Sequence, residues 1–187
     1  WTAKKNMKLV VDESFSDFAD EPVTLMNEEF LAAYPHVYVM KSISKSYGVP
    51  GLRLGVLASG DTETIAFMKK DVAIWNINSF AEFYLQIWEK YEKDYTKALE
   101  RFRAERARFT ARLKEIPGLT VYPSQANYVL AKLDGKLSAG ALTRRLLIEY
   151  NLLIKDLTSK AGGPYIRLAV RNEEDNDRLV EALREVL

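Results

Sequence analysis

The sequence has no cysteine and a single histidine, His36. Disulfide scaffolds, thiol nucleophiles and zinc or iron–sulfur sites built on Cys and His are thereby excluded. A Ser-His-Asp hydrolase would have to rest on His36 alone. A charge excess is missing too: 27 Lys and Arg against 26 Asp and Glu leave a formal +1, no electrostatic footprint for nucleic acid or an anionic membrane. No run is long and apolar enough to span a bilayer, and the first residues lack the charged-then-apolar layout of a signal peptide. A cytoplasmic setting is the expectation.

What is present is a chain able to bury a core: 187 residues, 48% hydrophobic and 28% charged, enough for one domain or two small ones. It opens at Trp1 and runs almost directly into a strand, so a segment upstream is expected. Residues 7–11 read as a buried strand whose carboxyl end carries Asp12 and Glu13. Residues 36–40 and 52–58 read as further strands, and Asp61 as the N-cap of a helix reaching Lys70. The pattern over 78–116 is helical, with a break expected near Glu92–Asp94.

Along that helix Tyr95, Leu99, Phe102, Phe109, Leu113 and Ile116 form one apolar stripe. Arg101, Arg103, Arg106, Arg108 and Arg112 read as its solvated face. Pro117-Gly118 ends it. Strands at 119–122, 127–133, 152–156 and 165–170 then alternate with helices at 139–150, capped by Ser138, and 172–186. This alternation argues an α/β architecture. The domain boundary is expected within the long helix, giving residues 1–93 and 94–187.

The chemistry concentrates in Ser42-Ile43-Ser44-Lys45-Ser46-Tyr47-Gly48-Val49-Pro50-Gly51-Leu52-Arg53-Leu54-Gly55. A strand delivers a lysine flanked by hydroxyls into a glycine-punctuated loop, with an arginine eight residues on. Lysine is a nucleophile only when its amine is deprotonated, and Arg53 with the serines could bind a phosphate. The glycine spacing fits neither GxGxxG nor GxxxxGK[ST], so the usual nucleotide loops fail. For an isolated lysine, a solvated position beside a tight loop is the commoner state.

The pattern Ser-x-Ser-Lys-x-x-Gly-x-x-Gly-x-Arg-x-Gly resembles the lysine motif of fold-type I pyridoxal-phosphate enzymes, the aspartate-aminotransferase superfamily. Upstream, Val10-Val11-Asp12-Glu13-Ser14-Phe15 is similar to the strand segment that precedes that motif in the family. The resemblance implies pyridoxal 5'-phosphate as cofactor, with Lys45 forming the Schiff base and moving the substrate Cα proton. It implies Asp12 against the pyridine nitrogen, Ser42 and Arg53 on the cofactor phosphate, and Ser44 as a helper. Phe15 stands where many members carry a tyrosine, and Tyr47 is a possible alternative donor, though loop packing suits it better.

Further along, Tyr165-Ile166-Arg167-Leu168-Ala169-Val170-Arg171 resembles the family's late strand, which implies Arg167 on the substrate α-carboxylate. Arg171 reads as a surface charge, Asn127 as a turn residue, and Trp75 equally as part of a family segment near the site or as a buried aromatic beside a helix start. The texture is similar to the histidinol-phosphate aminotransferase and threonine-phosphate decarboxylase branch, although Lys155 stands where phosphate-substrate members often carry arginine.

The resemblance therefore implies the end of an aspartate-aminotransferase-like large domain, with mixed sheet and helices, followed by a small α/β C-terminal domain. It implies an aminotransferase acting on an amino acid or amino-phosphate and a 2-oxo acid, homodimeric in the full-length protein. A decarboxylase of the threonine-phosphate type and a non-catalytic fragment are the alternatives. The family's upstream phosphate-binding turn and ring-stacking aromatic have no counterpart here, so this chain alone is expected to be an incomplete catalytic unit.

Overall fold

A computed structural model describes residues 1–187, which form two compact units, Trp1–Ala98 and Leu99–Leu187. No helix is long and apolar enough to cross a membrane.

The first unit is built on a three-stranded sheet in which β1 (Leu9–Asp12) runs parallel to β2 (Val37–Ser42) and β2 antiparallel to β3 (Gly55–Ser59). The central strand β2 carries the buried residues Val37, Tyr38 and Val39. β1 is not the buried strand expected: it lies at the sheet edge, with Val10 60% exposed. β3 begins later than its apolar run suggests. Pro50–Leu52 form a 3-10 turn and Arg53 takes a left-handed backbone (φ 57), neither compatible with a strand.

Two helices of this unit start on side-chain caps. Asn27 accepts from Phe30 N–H ahead of α1 (Glu28–Ala33), and a turn α2 (Ile43–Ser46) follows β2 directly. Asp61 accepts from Thr64 N–H ahead of α3 (Thr62–Asp71), the cap anticipated in the sequence. Trp75 is 90% exposed rather than buried, within a stretch from 71 to 80 that is exposed throughout.

Helix α4 (Ser79–Lys114) is unbroken, so the interruption near Glu92–Asp94 does not occur. The helix holds no glycine or proline, and the Thr96 hydroxyl donates to Glu92 C=O at 3.1 Å without opening the ladder. Its Ala98–Leu99 step is where the chain passes from one unit to the other. Gly118, with φ 80, then turns the chain out of the helical direction.

The second unit has an antiparallel sheet of β4 (Leu119–Val121), β5 (Tyr128–Leu133), β6 (Lys155–Asp156) and β7 (Tyr165–Ala169), ordered β4-β5-β7-β6. β6 is shorter than the apolar run before it suggests. Helices α5 (Ala139–Tyr150) and α7 (Glu173–Val186) are capped by Ser138 and Asn172, and a short α6 (Thr158–Ala161) lies between them. Alternate residues of β5 and β7 point inward: Val129, Ala131, Ile166 and Leu168 are fully buried with Phe109, Leu113, Leu142 and Leu183.

The arginines of α4 are only partly the solvated face expected. Arg106 is buried and donates to Ala126 C=O at 3.1 Å. Arg108 bridges Glu105 (2.7 Å) and Asp177 (2.6 Å), and Arg112 also pairs with Asp177. Their partners lie about 20 to 70 residues away or one helical turn back, beyond what a local charge pattern shows.

Candidate active site

Because β1 and β2 are parallel, they end side by side, with Asp12 opposite Met40. Ligands of open α/β sheets bind outside the carboxyl ends of such strands. The two segments that emerge there are tied together. Glu13 N–H donates to Met40 C=O at 2.8 Å, and Ser42 N–H donates to the Ser14 hydroxyl at 2.9 Å. Glu13 is an internal anchor: its buried carboxylate accepts from the Thr24 hydroxyl at 2.8 Å and Leu25 N–H at 2.7 Å.

Asp12 sits exposed at the strand end and accepts from Ser14 N–H at 2.9 Å. The hydrogen bonds from Ser14 hold its carboxyl below the usual range, and the field of the Lys45 ammonium adds to this. Asp12 and Lys45 thus share one electrostatic neighbourhood although 33 residues apart in the chain. Lys45 is exposed on α2, its Nζ 4.6 Å from the centre of the Phe15 ring.

Ser42 lies where β2 passes into α2, paired in register with Gly55. Ile43 N–H donates to Leu54 C=O at 3.2 Å, which brings the loop carrying Arg53 beside it. Arg53 is exposed, with Nη1 3.3 Å from Pro50 C=O. Asn78 fastens the same loop to the start of α4: its Nδ2 donates to Leu52 C=O at 2.9 Å while its Oδ1 accepts from Ala81 N–H at 3.0 Å. Ser44 is not on this surface. It is 6% exposed, and its hydroxyl donates inward to Leu54 C=O at 3.4 Å.

A second acidic centre stands behind the lysine turn, and sequence reasoning missed it. Asp17 accepts from Lys41 Nζ at 2.6 Å, the Ser46 hydroxyl at 2.7 Å and the Tyr95 hydroxyl at 2.8 Å. Burial works to raise the Asp17 carboxyl, but the hydrogen bonds from Lys41, Ser46 and Tyr95 outweigh it and the net shift is downward. Burial pushes the Tyr95 phenol up. Tyr47 stacks on Tyr95, ring centres 4.4 Å apart and 13° from parallel, and also meets Trp88 at 4.4 Å. This packing is the role expected of Tyr47. His36 is elsewhere, its Nε2 3.1 Å from the Thr2 hydroxyl.

Arg167 belongs to the second unit. It is exposed on β7, directly opposite Lys155 of β6, and its guanidinium lies 5.1 Å from the Tyr128 ring centre. Arg167 and Lys155 line an open groove of ≈ 430 Å³ together with Thr143 and Asp156. Thr143 Oγ1 is buried there without a hydrogen-bond partner. Arg171 is exposed and paired with Asp175 at 2.7 Å, the surface charge expected. Asn127 C=O accepts from Val170 N–H at 3.0 Å, a backbone role.

The sequence profile of the family described as aminotransferase class I and II matches residues 1–183. The L-serine phosphate decarboxylase of Sulfurospirillum multivorans is 36% identical over 187 residues, covering 96% of this chain and 47% of that protein. The threonine-phosphate decarboxylase of Salmonella typhimurium is 34% identical over 185 residues, covering 97% of this chain and 49% of that protein. Among solved structures, the histidinol-phosphate aminotransferase of Clostridium acetobutylicum superposes with a TM-score of 0.86 at 26% identity, over 99% of this chain and 55% of its own. The chain thus spans about half the length of the relatives it matches.

Proposed function

Since the chain belongs to the class I and II aminotransferase family, which is pyridoxal-phosphate dependent, we propose that it carries the lysine half of an enzyme that moves an amino group between an amino acid and a 2-oxo acid. The observation that carries this reading is the placement of Asp12 at the end of β1 and of the Lys45 turn directly after β2, the strand parallel to it. The donor set fits the cofactor. It needs an ionised acceptor for a ring N–H, an amine for an aldehyde, and donors for a phosphate. Asp12, Lys45, and Ser42 with Arg53 answer these in turn.

Bound pyridoxal phosphate supplies an aldehyde that takes up amines and a cationic ring that draws electrons from the substrate Cα. Asp12, held ionised by Ser14, keeps the proton on the ring nitrogen. Lys45 Nζ would hold the cofactor aldehyde and, as a free amine, would move the proton at the substrate Cα. Arg53 and the Ser42 hydroxyl bind the phosphate through charge-assisted hydrogen bonds. Arg167 binds the substrate carboxylate with its planar fork. Ser44, turned inward, supports the Arg53 loop from beneath. In the full-length protein a second copy is proposed to complete the site.

A second reading is decarboxylation of a phosphorylated amino acid, favoured by the two decarboxylases at 34% and 36% identity. Supplying cofactor, amino donors and a 2-oxo acid separates the two. Transamination yields a new amino acid in step with donor loss and no carbon dioxide; decarboxylation yields carbon dioxide and an amine. Binding of the cofactor with neither product from any phosphorylated or plain amino acid would sink both readings.

A further inference from the structure

Two lysines stand close together here, Lys41 just before the turn and Lys45 on it, four residues apart in sequence. Either amine could take up an aldehyde, and reaction at the wrong one would misplace the cofactor. Their surroundings differ. Lys41 is largely enclosed, with 15% of its side chain exposed, and its Nζ lies 2.6 Å from Asp17 Oδ1. Lys45 is exposed, takes part in no ion pair, and has its amine over the Phe15 ring face. A ring face holds a cation more weakly than a carboxylate does and leaves the nitrogen open to approach.

We propose that Asp17 is a positioning residue that selects Lys45 as the reacting amine, by sequestering Lys41 and by fixing both ends of the turn that carries Lys45. The second part follows from the contacts. Asp17 Oδ1 engages position 41, just before α2, and Oδ2 engages Ser46 at the last residue of α2. Tyr95 donates to the same Oδ2 and is itself held by stacking on Tyr47. The carboxylate is thereby fixed from a third side and cannot swing away from Lys41. An amine attacks an aldehyde carbon through its free lone pair, the carbonyl oxygen leaving as water. A nitrogen enclosed against a carboxylate offers neither the lone pair nor the approach.

The inference rests on the reading of Lys45 given above, and two measurements keep them apart. The first uses no cofactor. The chain is acetylated with trace acetic anhydride and the rate at each lysine is read by peptide mass spectrometry. In the native chain Lys41 is expected to be among the slowest amines. In Asp17→Asn its rate is expected to rise about tenfold, the factor that about 1.4 kcal/mol of lost pairing supplies. Asp17→Glu is expected to restore protection, and Tyr95→Phe to keep most of it. The second treats the same proteins with pyridoxal phosphate and borohydride, which reduces the new carbon–nitrogen bond so that the label persists. Label is expected at Lys45 in the native chain and at both Lys41 and Lys45 in Asp17→Asn.

Lys41 reacting in the native chain as fast as solvent-exposed lysines overturns the inference, even if Asp17→Asn fails to fold. So does a folded Asp17→Asn in which Lys41 stays slow and unlabelled. Slow Lys41 with the label on lysines other than Lys41 and Lys45 in the native chain overturns the reading of Lys45 instead.

Discussion

At the scale of single residues, the proposed chemistry turns on a carboxylate that stays charged. Asp12 is exposed, yet the Ser14 hydrogen bonds and the nearby Lys45 keep its carboxyl ionised at the end of β1. Asp12→Asn retains the shape and removes the charge. Titration of the visible absorbance should then show pyridoxal phosphate affinity weaker by roughly tenfold, the loss expected when a charge-assisted hydrogen bond becomes a neutral one. An unchanged affinity would remove Asp12 from the site. Asp12, Ser42, Lys45 and Arg53 stand out in the sequence as candidates because their spacing within two short segments carries the pattern. Asp17 was not. Its partners lie 24, 29 and 78 residues away, and nothing local distinguishes it from any turn aspartate.

At the scale of elements, the chain reads well where structure is decided locally and poorly where neighbours decide it. Ser138 and Asp61 were identifiable as caps because each accepts from the N–H three residues ahead. The edge position of β1, the continuity of α4 and the brevity of β6 depend on pairings that the sequence does not display. One close approach is equally hidden. Gly60 follows β3, and a Cβ there would stand 2.0 Å from Leu31 C=O and 3.4 Å from Pro35 Cα. Backbone on that side cannot swing aside as a side-chain tip can. Gly60→Ala is therefore expected to cost about 1–3 kcal/mol in urea unfolding, the range for overpacking. An unchanged midpoint would show that α1 yields freely at its end.

At the scale of the whole molecule, the two units are built differently. The second has a continuous core from Phe109 to Leu183, whereas the first buries few apolar residues and leaves Ile74, Trp75 and Phe80 largely exposed. It is the first unit that holds Asp12, Ser42, Lys45 and Arg53, in a chain about half the length of its relatives. The proposed site residues thus all lie in one unit, and the claim most in need of test is that this unit presents one reactive amine. Treating the 187-residue chain with pyridoxal phosphate, reducing with borohydride and mapping the peptides decides it. The account predicts a label on Lys45 that Lys45→Ala abolishes. An unmodified Lys45 with the label on other lysines would contradict it.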